Sequence, residues 1–378
     1  MLALQMPLSD TERARYHRHL ALAQIGVAGQ EKLKAARVLI VGAGGLGSPA
    51  ALYLAAAGCG TLGLLDFDRV DLSNLQRQVL FDTADIAKPK ADAGRERLTA
   101  LNGEIRINAH AVELKAANVR AVLAGYDVVI DGTDRLSTRY LVNDACVIYG
   151  KALVSAAIHR FEGQLMTYVP NQGPCYRCLF PDGREALVAN CAEAGVLGVL
   201  PGVLGTLQAT EAIKLITGVG EPLTGRLLTY DALDMRFQEF RVSRRRDCAV
   251  CGDAPSITEP RDQDPSPAGA APGGVRRLLA NDLHALLQTR TAFLVDVREP
   301  YEFDAGHLEG ARHIPLGELP RRLAEIPKDA APVFICRSGG RSLAACQMAL
   351  AAGIVSPANL DGGLQAWARE VDPTLEVA

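Results

Sequence analysis

Residues 38–77, VLIVGAGGLGSPAALYLAAAGCGTLGLLDFDRVDLSNLQR, constrain the chain more than any other stretch. An apolar run, Val38 to Val41, meets the glycines of Gly42-Ala43-Gly44-Gly45-Leu46-Gly47. A small-residue helix pattern follows, and a second apolar run ends at Asp66. Strand, glycine turn, helix and strand make one βαβ unit with the G-x-G-x-x-G fingerprint. The glycines let backbone N–H groups approach a phosphate at a helix N-terminus, where the helix dipole favours anions. Asp66 lies about 20 residues past the last glycine, where a carboxylate can hold ribose hydroxyls.

The fingerprint alone points to NAD and a dehydrogenase. The residues that follow change that reading. Asp68 comes two residues after Asp66, then the polar stretch Ser73-Asn74-Leu75-Gln76-Arg77, with Lys90 further on. A dinucleotide has no evident need for Arg77 and Lys90 at its ribose end. A triphosphate about to be split does, because cations must neutralise its charge.

The 378 residues, 48% of them hydrophobic, are enough for two or three globular domains. A net charge of −3 gives no reason to expect nucleic acid or an anionic membrane as partner. The opening residues are polar too early for a signal segment, and the apolar helices are interrupted before membrane-spanning length. A cytoplasmic protein is expected. Nine cysteines, four of them in C-x-x-C pairs, suit metal and catalysis better than a disulfide framework.

In chain order, residues 10–34 read as helical, with a basic cluster at Arg13, Arg15, Arg18 and Lys32 that a solvated face would explain. Lys88-Pro89-Lys90 opens a helix running to about Leu101. Strands are expected at 105–112 and 126–131, the second running into Asp131-Gly132-Thr133-Asp134. An aspartate there faces the ligand crevice of a doubly wound sheet, so Asp134 can hold Mg²⁺ on a nucleotide phosphate; it can also cap the next helix. Strand patterns at 152–169, a helix at 202–217 and a final strand at 226–231 complete the first domain, residues 1–252. Residues 253–274, rich in Pro, Gly, Ala, Ser and Asp, read as a flexible linker. Residues 275–378 read as a second, small α/β domain.

Cys175, Cys178, Cys248 and Cys251 supply the four thiolates that a tetrahedral structural Zn²⁺ takes; a redox C-x-x-C would need only one pair. In the second domain, Cys336 ends a strand and opens the loop Arg337-Ser338-Gly339-Gly340-Arg341. Such a loop can turn its N–H groups inward as an anion nest, and with both arginines and the helix dipole would favour a thiolate. That thiolate could carry a persulfide, or serve a phosphatase. Cys191, outside the zinc pairs in a polar, glycine-flanked stretch, is either structural or functional; Cys59, Cys146 and Cys346 read as core.

These residues resemble two families. GAGGLG, LLDFD, SNLQRQ, KPK, GTD, CYRC, CAEAGVLG and CAVC make residues 10–252 similar to the ubiquitin-activating-enzyme-like adenylyltransferases that activate sulfur carriers, above all the molybdopterin-synthase adenylyltransferases. DVREPYEF, GHLEGARHIP and CRSGGRS make residues 275–378 similar to a rhodanese domain. The resemblance implies a Rossmann-like adenylation domain fused to a sulfurtransferase. ATP and Mg²⁺ would be bound by Gly45, Asp66, Ser73 to Arg77, Lys90 and Asp134. Arg18 would reach the partner subunit's ATP in a homodimer. Cys191 would accept the carrier or its sulfur, and Cys336 would hold the persulfide. The implied partner is a ubiquitin-like sulfur carrier ending in Gly-Gly, with thiosulfate or a cysteine desulfurase as sulfur donor. Molybdopterin biosynthesis is the first expected pathway; thiamine, cysteine and tRNA thiolation use the same chemistry. An NAD-dependent oxidoreductase and a non-catalytic carrier-binding scaffold are the other classes. One departure stands out: Arg135, a further candidate for nucleotide binding through its backbone, occupies the position after Thr-Asp where the family usually has Asn, so a side-chain contact there would not be equivalent.

Overall fold

The computed structural model describes residues 7–181, 195–262, 275–288, 292–327 and 330–377, which fall into two compact units. The first unit contains the strands β1 (Arg37–Val41), β2 (Thr61–Leu65), β3 (Arg106–His110), β4 (Val128–Asp131), β5 (Ala152–His159), β6 (Glu162–Tyr168), β7 (Arg226–Asp231) and β8 (Arg236–Arg241). Among the described residues they form one sheet in the order β3-β2-β1-β4-β5-β6-β7-β8. β1 to β5 run parallel, as strands separated by helical crossovers must. β5 to β8 pair antiparallel, and the two-residue turn Arg160-Phe161 joins β5 to β6 with Arg160 at φ 53°.

The strand order reverses between β1 and β4, whose carboxyl ends pair Val41 with Asp131. A ligand crevice opens at such a switch point. The central strands are buried on both faces. One face packs the helices Gly47–Ala56, Lys90–Leu101 and Leu200–Thr217, through Leu54, Leu98 and Leu204. The other packs Ala116–Ala124, Leu136–Ile148 and the cysteine cluster, through Val119, Leu141 and Cys175. Gly205 lets the helix Leu200–Thr217 press on the glycine loop: a Cβ there would sit 2.3 Å from the Leu46 carbonyl oxygen.

Several expectations are corrected. The stretch 10–34 is three helices, Asp10–Arg15, His17–Leu20 and Gly26–Ala35, with Gly26 at φ 55°. The first carries a Ser9–Glu12 capping box. Asp134 does not cap the helix Leu136–Ile148; the extended residue at the cap is Arg135, with no side-chain cap bond. The strand 226–231 is not the last, because β8 follows it with every residue exposed. Residues 253–262, read as linker, bond within the first unit: Ile257 N–H donates to the Ala249 carbonyl, and Asp262 Oδ1 accepts from Ala116 N–H at 2.7 Å.

The second unit contains β9 (Arg276–Leu278), β10 (Leu294–Asp296), β11 (Arg312–His313), β12 (Val333–Ile335) and β13 (Ala358–Leu360). Among the described residues these pair in parallel in the order β11-β10-β12-β13-β9. Fully buried Phe334 and Ile335 place the next residue, Cys336, at the carboxyl edge of the central strand.

Candidate active sites

The glycine loop and the β4 end meet closely. Gly42 stands at φ 90°, and a Cβ there would lie 2.9 Å from the Gly132 carbonyl oxygen. At Gly47 a Cβ would lie 1.8 Å from the Gly42 carbonyl oxygen, and at Gly45 it would press on Pro201 at 3.0 Å. Gly44 has more room, its nearest side-chain atom being Gln78 Nε2 at 3.7 Å. Asp66 holds this loop: its Oδ2 accepts from Ala43 N–H at 2.8 Å, and its Oδ1 from Asp68 N–H at 2.9 Å. Burial pushes the Asp66 carboxyl up, and the Lys90 ammonium counters it. Each oxygen keeps a second lone pair for a ribose hydroxyl.

Lys90, with its side chain 7% exposed, places Nζ 3.4 Å from Asp68 Oδ2. The turn Leu72–Asn74 is capped by Asp71, and Arg77 Nη1 donates to the Ser73 carbonyl at 3.0 Å. Gln76 packs against Gly198, where a Cβ would meet its Oε1 at 2.3 Å. Asn74 and Leu75 are half-buried and Ser73 is exposed. Gln78, one residue past the stretch read from the sequence, is buried, and its Oε1 has no hydrogen-bond partner among the described residues. Asp134 is exposed beyond the β4 end. One exposed carboxylate there suits Mg²⁺, which takes one or two protein carboxylates and completes its shell with phosphate and water. Arg135 lies over the Phe67 ring at 4.9 Å, with Nη1 3.5 Å from Glu113 Oε1. Arg18 is exposed on the helix His17–Leu20 and forms no hydrogen bond or ion pair among the described residues. Cys191 lies outside the described residues.

The four paired cysteines converge. Their sulfurs all lie within 4.8 Å of one another, with Cys175 Sγ 3.7 Å from Cys248 Sγ and Cys178 Sγ 3.3 Å from Cys251 Sγ. Sulfurs about 2.3 Å from a tetrahedral zinc stand about 3.8 Å apart, so the set fits that ion. Arg245 N–H also donates to Cys178 Sγ at 3.4 Å, and the hydrogen bond with Cys175 lowers the Cys178 thiol to about 6.

In the second unit Cys336 Sγ is buried and accepts from Gly339 N–H at 3.1 Å and Ser342 N–H at 3.4 Å; Ser342 Oγ stands 3.2 Å away. The loop faces inward for a reason. The carbonyls of Cys336 and Arg337 accept from Leu364 and Gln365, in the first turn of the helix Gly363–Glu370. That turns the loop's carbonyls outward and leaves its amides to the sulfur. Gly363 permits this approach, since a Cβ there would lie 2.5 Å from both carbonyl oxygens. Gly339, at φ 102°, makes the turn before Gly340 starts the helix Gly340–Ala351. Arg341 does not point its charge into the nest unopposed. Its Nη1 and Nη2 donate to Glu302 at 2.6 and 2.7 Å. Ser338 Oγ and Arg337 Nε are buried without a hydrogen-bond partner among the described residues.

Residues 16–250 match the model of the ThiF family, and residues 279–370 that of the rhodanese-like domain. A protein of Mycobacterium tuberculosis named "Probable adenylyltransferase/sulfurtransferase MoeZ" is 43% identical over 97% of this chain and 96% of its own. "Adenylyltransferase and sulfurtransferase MOCS3" of Aedes aegypti is 41% identical over 98% of this chain and 90% of its own. The crystal structure of E. coli MccB with ATP superposes with a TM-score of 0.58 and 26% identity, over 65% of this chain and 75% of that one. The chain belongs to the ThiF family, as an adenylyltransferase that carries its own C-terminal rhodanese-like sulfurtransferase domain.

Proposed function

We propose that this enzyme adenylates the C-terminal Gly-Gly carboxylate of a small ubiquitin-like sulfur carrier and then replaces the activated oxygen with sulfur, in the service of molybdopterin synthesis. The observation that carries the reading is the pairing, in one chain, of a lysine-bearing glycine-loop crevice with a buried cysteine whose sulfur accepts two backbone N–H bonds.

The carrier carboxylate attacks the α-phosphate of ATP and pyrophosphate leaves. Two anions must meet, so Lys90 and Arg77 neutralise charge in the crevice, with Arg18 of a second subunit completing the site in a homodimer. The glycine loop's amides hold phosphate oxygens, and Asp66 the ribose. Asp134 would hold Mg²⁺, which supplies further charge neutralisation at the phosphates. In the second domain, the Cys336 thiolate takes a sulfane sulfur from a donor such as thiosulfate or a cysteine desulfurase. Its persulfide attacks the acyl-adenylate carbonyl and AMP leaves. A second thiol, for which Cys191 stands, then attacks Cys336 Sγ of the acyl disulfide. A disulfide with Cys336 forms, the thiocarboxylate leaves with the electron pair, and a thiol reductant of the cytosol reopens that disulfide for the next turnover. Cys175, Cys178, Cys248 and Cys251 would hold a zinc ion with all four thiolates, so the metal would serve a structural role. A cytosolic setting, where thiols stay reduced, suits both thiolate centres.

The test is to incubate the enzyme with a Gly-Gly-ending carrier, ATP, Mg²⁺ and a sulfur donor, and to weigh the carrier. Replacement of one oxygen by sulfur, with carrier-dependent ATP–pyrophosphate exchange, is expected. A carrier left unchanged with no exchange would overturn the reading.

A further inference from the structure

The charge balance around the Cys336 loop assigns a role to Glu302, a residue that none of the motif readings single out. Three arginines stand at or beside the loop: Arg298, Arg337 and Arg341. Arg298 is fully buried and matched by equally buried Asp296, at 2.8 Å. Arg341, 10% exposed, is matched by Glu302, 4% exposed, through two parallel charge-assisted hydrogen bonds. Arg337 has no ion-pair partner among the described residues, and its Nε is buried without an acceptor. Arg337 is thus the loop's one unmatched positive charge among the described residues, and the Cys336 thiolate offsets it when a donor approaches. Glu302 is also fixed from behind, since its Oε2 accepts from Glu299 N–H at 3.0 Å at the start of the helix Pro300–Ala305. The carboxylate is thus held by its own helix as well as by Arg341.

We propose that Glu302 is a positioning residue that sets donor preference: by balancing Arg341, it leaves the thiolate-bearing loop near neutral, with no spare positive charge to hold a free dianion. This rests on the sulfurtransferase reading of the domain. Both donors undergo the same step. The Cys336 thiolate attacks the sulfane sulfur, a new S–S bond forms, and the donor's bond to that sulfur breaks with its electron pair. Thiosulfate releases sulfite, and a cysteine persulfide releases a thiolate. They differ in charge. Thiosulfate brings two negative charges to a buried loop that already holds a thiolate. A protein cysteine persulfide brings one at most, and gains its affinity from protein surface instead.

The experiment uses the full-length chain and two donors, thiosulfate and a cysteine desulfurase charged with cysteine, with cyanide as acceptor. Glu302→Gln keeps the shape and an acceptor for Arg341 but removes the charge. It should lower KM for thiosulfate about tenfold, the scale of one unscreened charge near a buried anion, with kcat changed little. Transfer from the desulfurase should stay within about twofold, the change expected of a surface-docked donor. The double variant Glu302→Gln/Arg341→Gln restores neutrality, should fold as the native chain does, and should return KM for thiosulfate towards its original value. A purely structural role for Glu302 would instead lower kcat for both donors and leave the double variant as impaired as the single one. That result, or an unchanged KM for thiosulfate in a folded Glu302→Gln chain, would overturn the proposal. A native chain that transfers sulfur from neither donor would overturn the sulfurtransferase reading, and this proposal with it.

Discussion

Arg177, inside the Cys175–Cys178 knuckle, grips Asp144 with Nε and Nη2 at 2.7 and 2.8 Å, and both side chains are buried. Asp144 belongs to the helix Leu136–Ile148, which starts directly after Asp134 and Arg135. The guanidinium also lies over the Tyr140 ring of that helix at 4.5 Å, and Asn143 Oδ1 accepts from Tyr176 N–H. The same helix sends Arg139 back to the β4 end, where Nη2 donates to the Thr133 carbonyl at 2.7 Å. The cysteine cluster and the Asp134 end of the crevice thus share one rigid element. The cysteine cluster therefore braces the Asp134 end of the crevice through that helix, although the two lie far apart in sequence.

Removing half of this pair leaves a charge stranded in the core. Arg177→Ala should destabilise the first unit by about 3–5 kcal/mol, because Asp144 is left buried and unpaired. Replacing both partners with apolar residues, Arg177→Met with Asp144→Leu, should recover much of that loss. Urea denaturation of the three chains checks the order. A double variant no better than the single one would mean that the pair's geometry, rather than its charge balance, matters.

The metal follows the same logic. The purified protein should hold about one Zn²⁺ per chain. Cys251→Ser should lower both metal content and melting temperature, since structural zinc can contribute on the order of 10 kcal/mol of folding free energy. Elemental analysis beside a thermal scan reads both. Full zinc retention in that variant would reject the cluster as the ligand set.

The parallel half of the sheet was legible because buried strands are short apolar runs and their crossovers carry helical periodicity. Val38–Val41 and Val333–Ile335 show this. β8 was not, since Arg236–Arg241 is exposed throughout and shows neither signal. The crevice glycines, Asp66 and Lys90 stand in local motifs, so they could be named as candidates before any fold was known, and the structure brings them together through the Asp66–Ala43 and Lys90–Asp68 contacts. Glu302 and Gly363 reach the Cys336 loop from elsewhere in the domain. No spacing rule announces a partner 39 residues away, as Glu302 is from Arg341. Residues 253–262 misled for another reason: their composition is that of a linker, while backbone hydrogen bonds to Ala116 and Ala249 hold them.

Two glycines of the loop should separate folding from binding. Gly47→Ala forces a Cβ to 1.8 Å from the Gly42 carbonyl, backbone against backbone, and should cost about 3 kcal/mol. Gly44→Ala meets nothing closer than 3.7 Å and should change stability by less than about 1 kcal/mol. If phosphate oxygens sit on the loop's amides, Gly44→Ala should still lose ATP–pyrophosphate exchange about tenfold or more, because the methyl stands where the phosphate must come. Normal exchange in the folded Gly44→Ala chain would move the phosphates elsewhere.

Acid should loosen the second unit through Glu302. Burial pushes this carboxyl up, but the Arg341 hydrogen bonds outweigh it and hold the group below its ordinary 4.5. A depressed folded pKa contributes stability that is present above the unfolded value, and that is lost as pH falls through the folded one. The native chain should therefore lose more stability than Glu302→Gln when pH drops from about 6 to about 3. Melting of the second unit across that range checks the sign; equal slopes would contradict it.

The two chemistries should come apart by mutation, because each centre has its own machinery. On the proposed mechanism, adenylation draws on the cations of the crevice, with Lys90 held 3.4 Å from Asp68 in a buried position where its charge is little screened. Sulfur transfer, on the same proposal, uses the Cys336 sulfur that accepts from Gly339 and Ser342. Cys336→Ala should leave carrier-dependent ATP–pyrophosphate exchange near normal while abolishing thiosulfate:cyanide transfer and thiocarboxylate formation. Lys90→Ala should do the reverse. Exchange should fall about 10²-fold or more, the scale for losing a charge that meets the transition state, while sulfur transfer to cyanide persists. Cys191→Ala should spare both partial reactions and impair the complete one, if that thiol cleaves the acyl disulfide. Thiocarboxylate made by Cys336→Ala with a protein persulfide donor would demote the fused domain to an accessory, and leave Cys191 or an outside enzyme to deliver the sulfur.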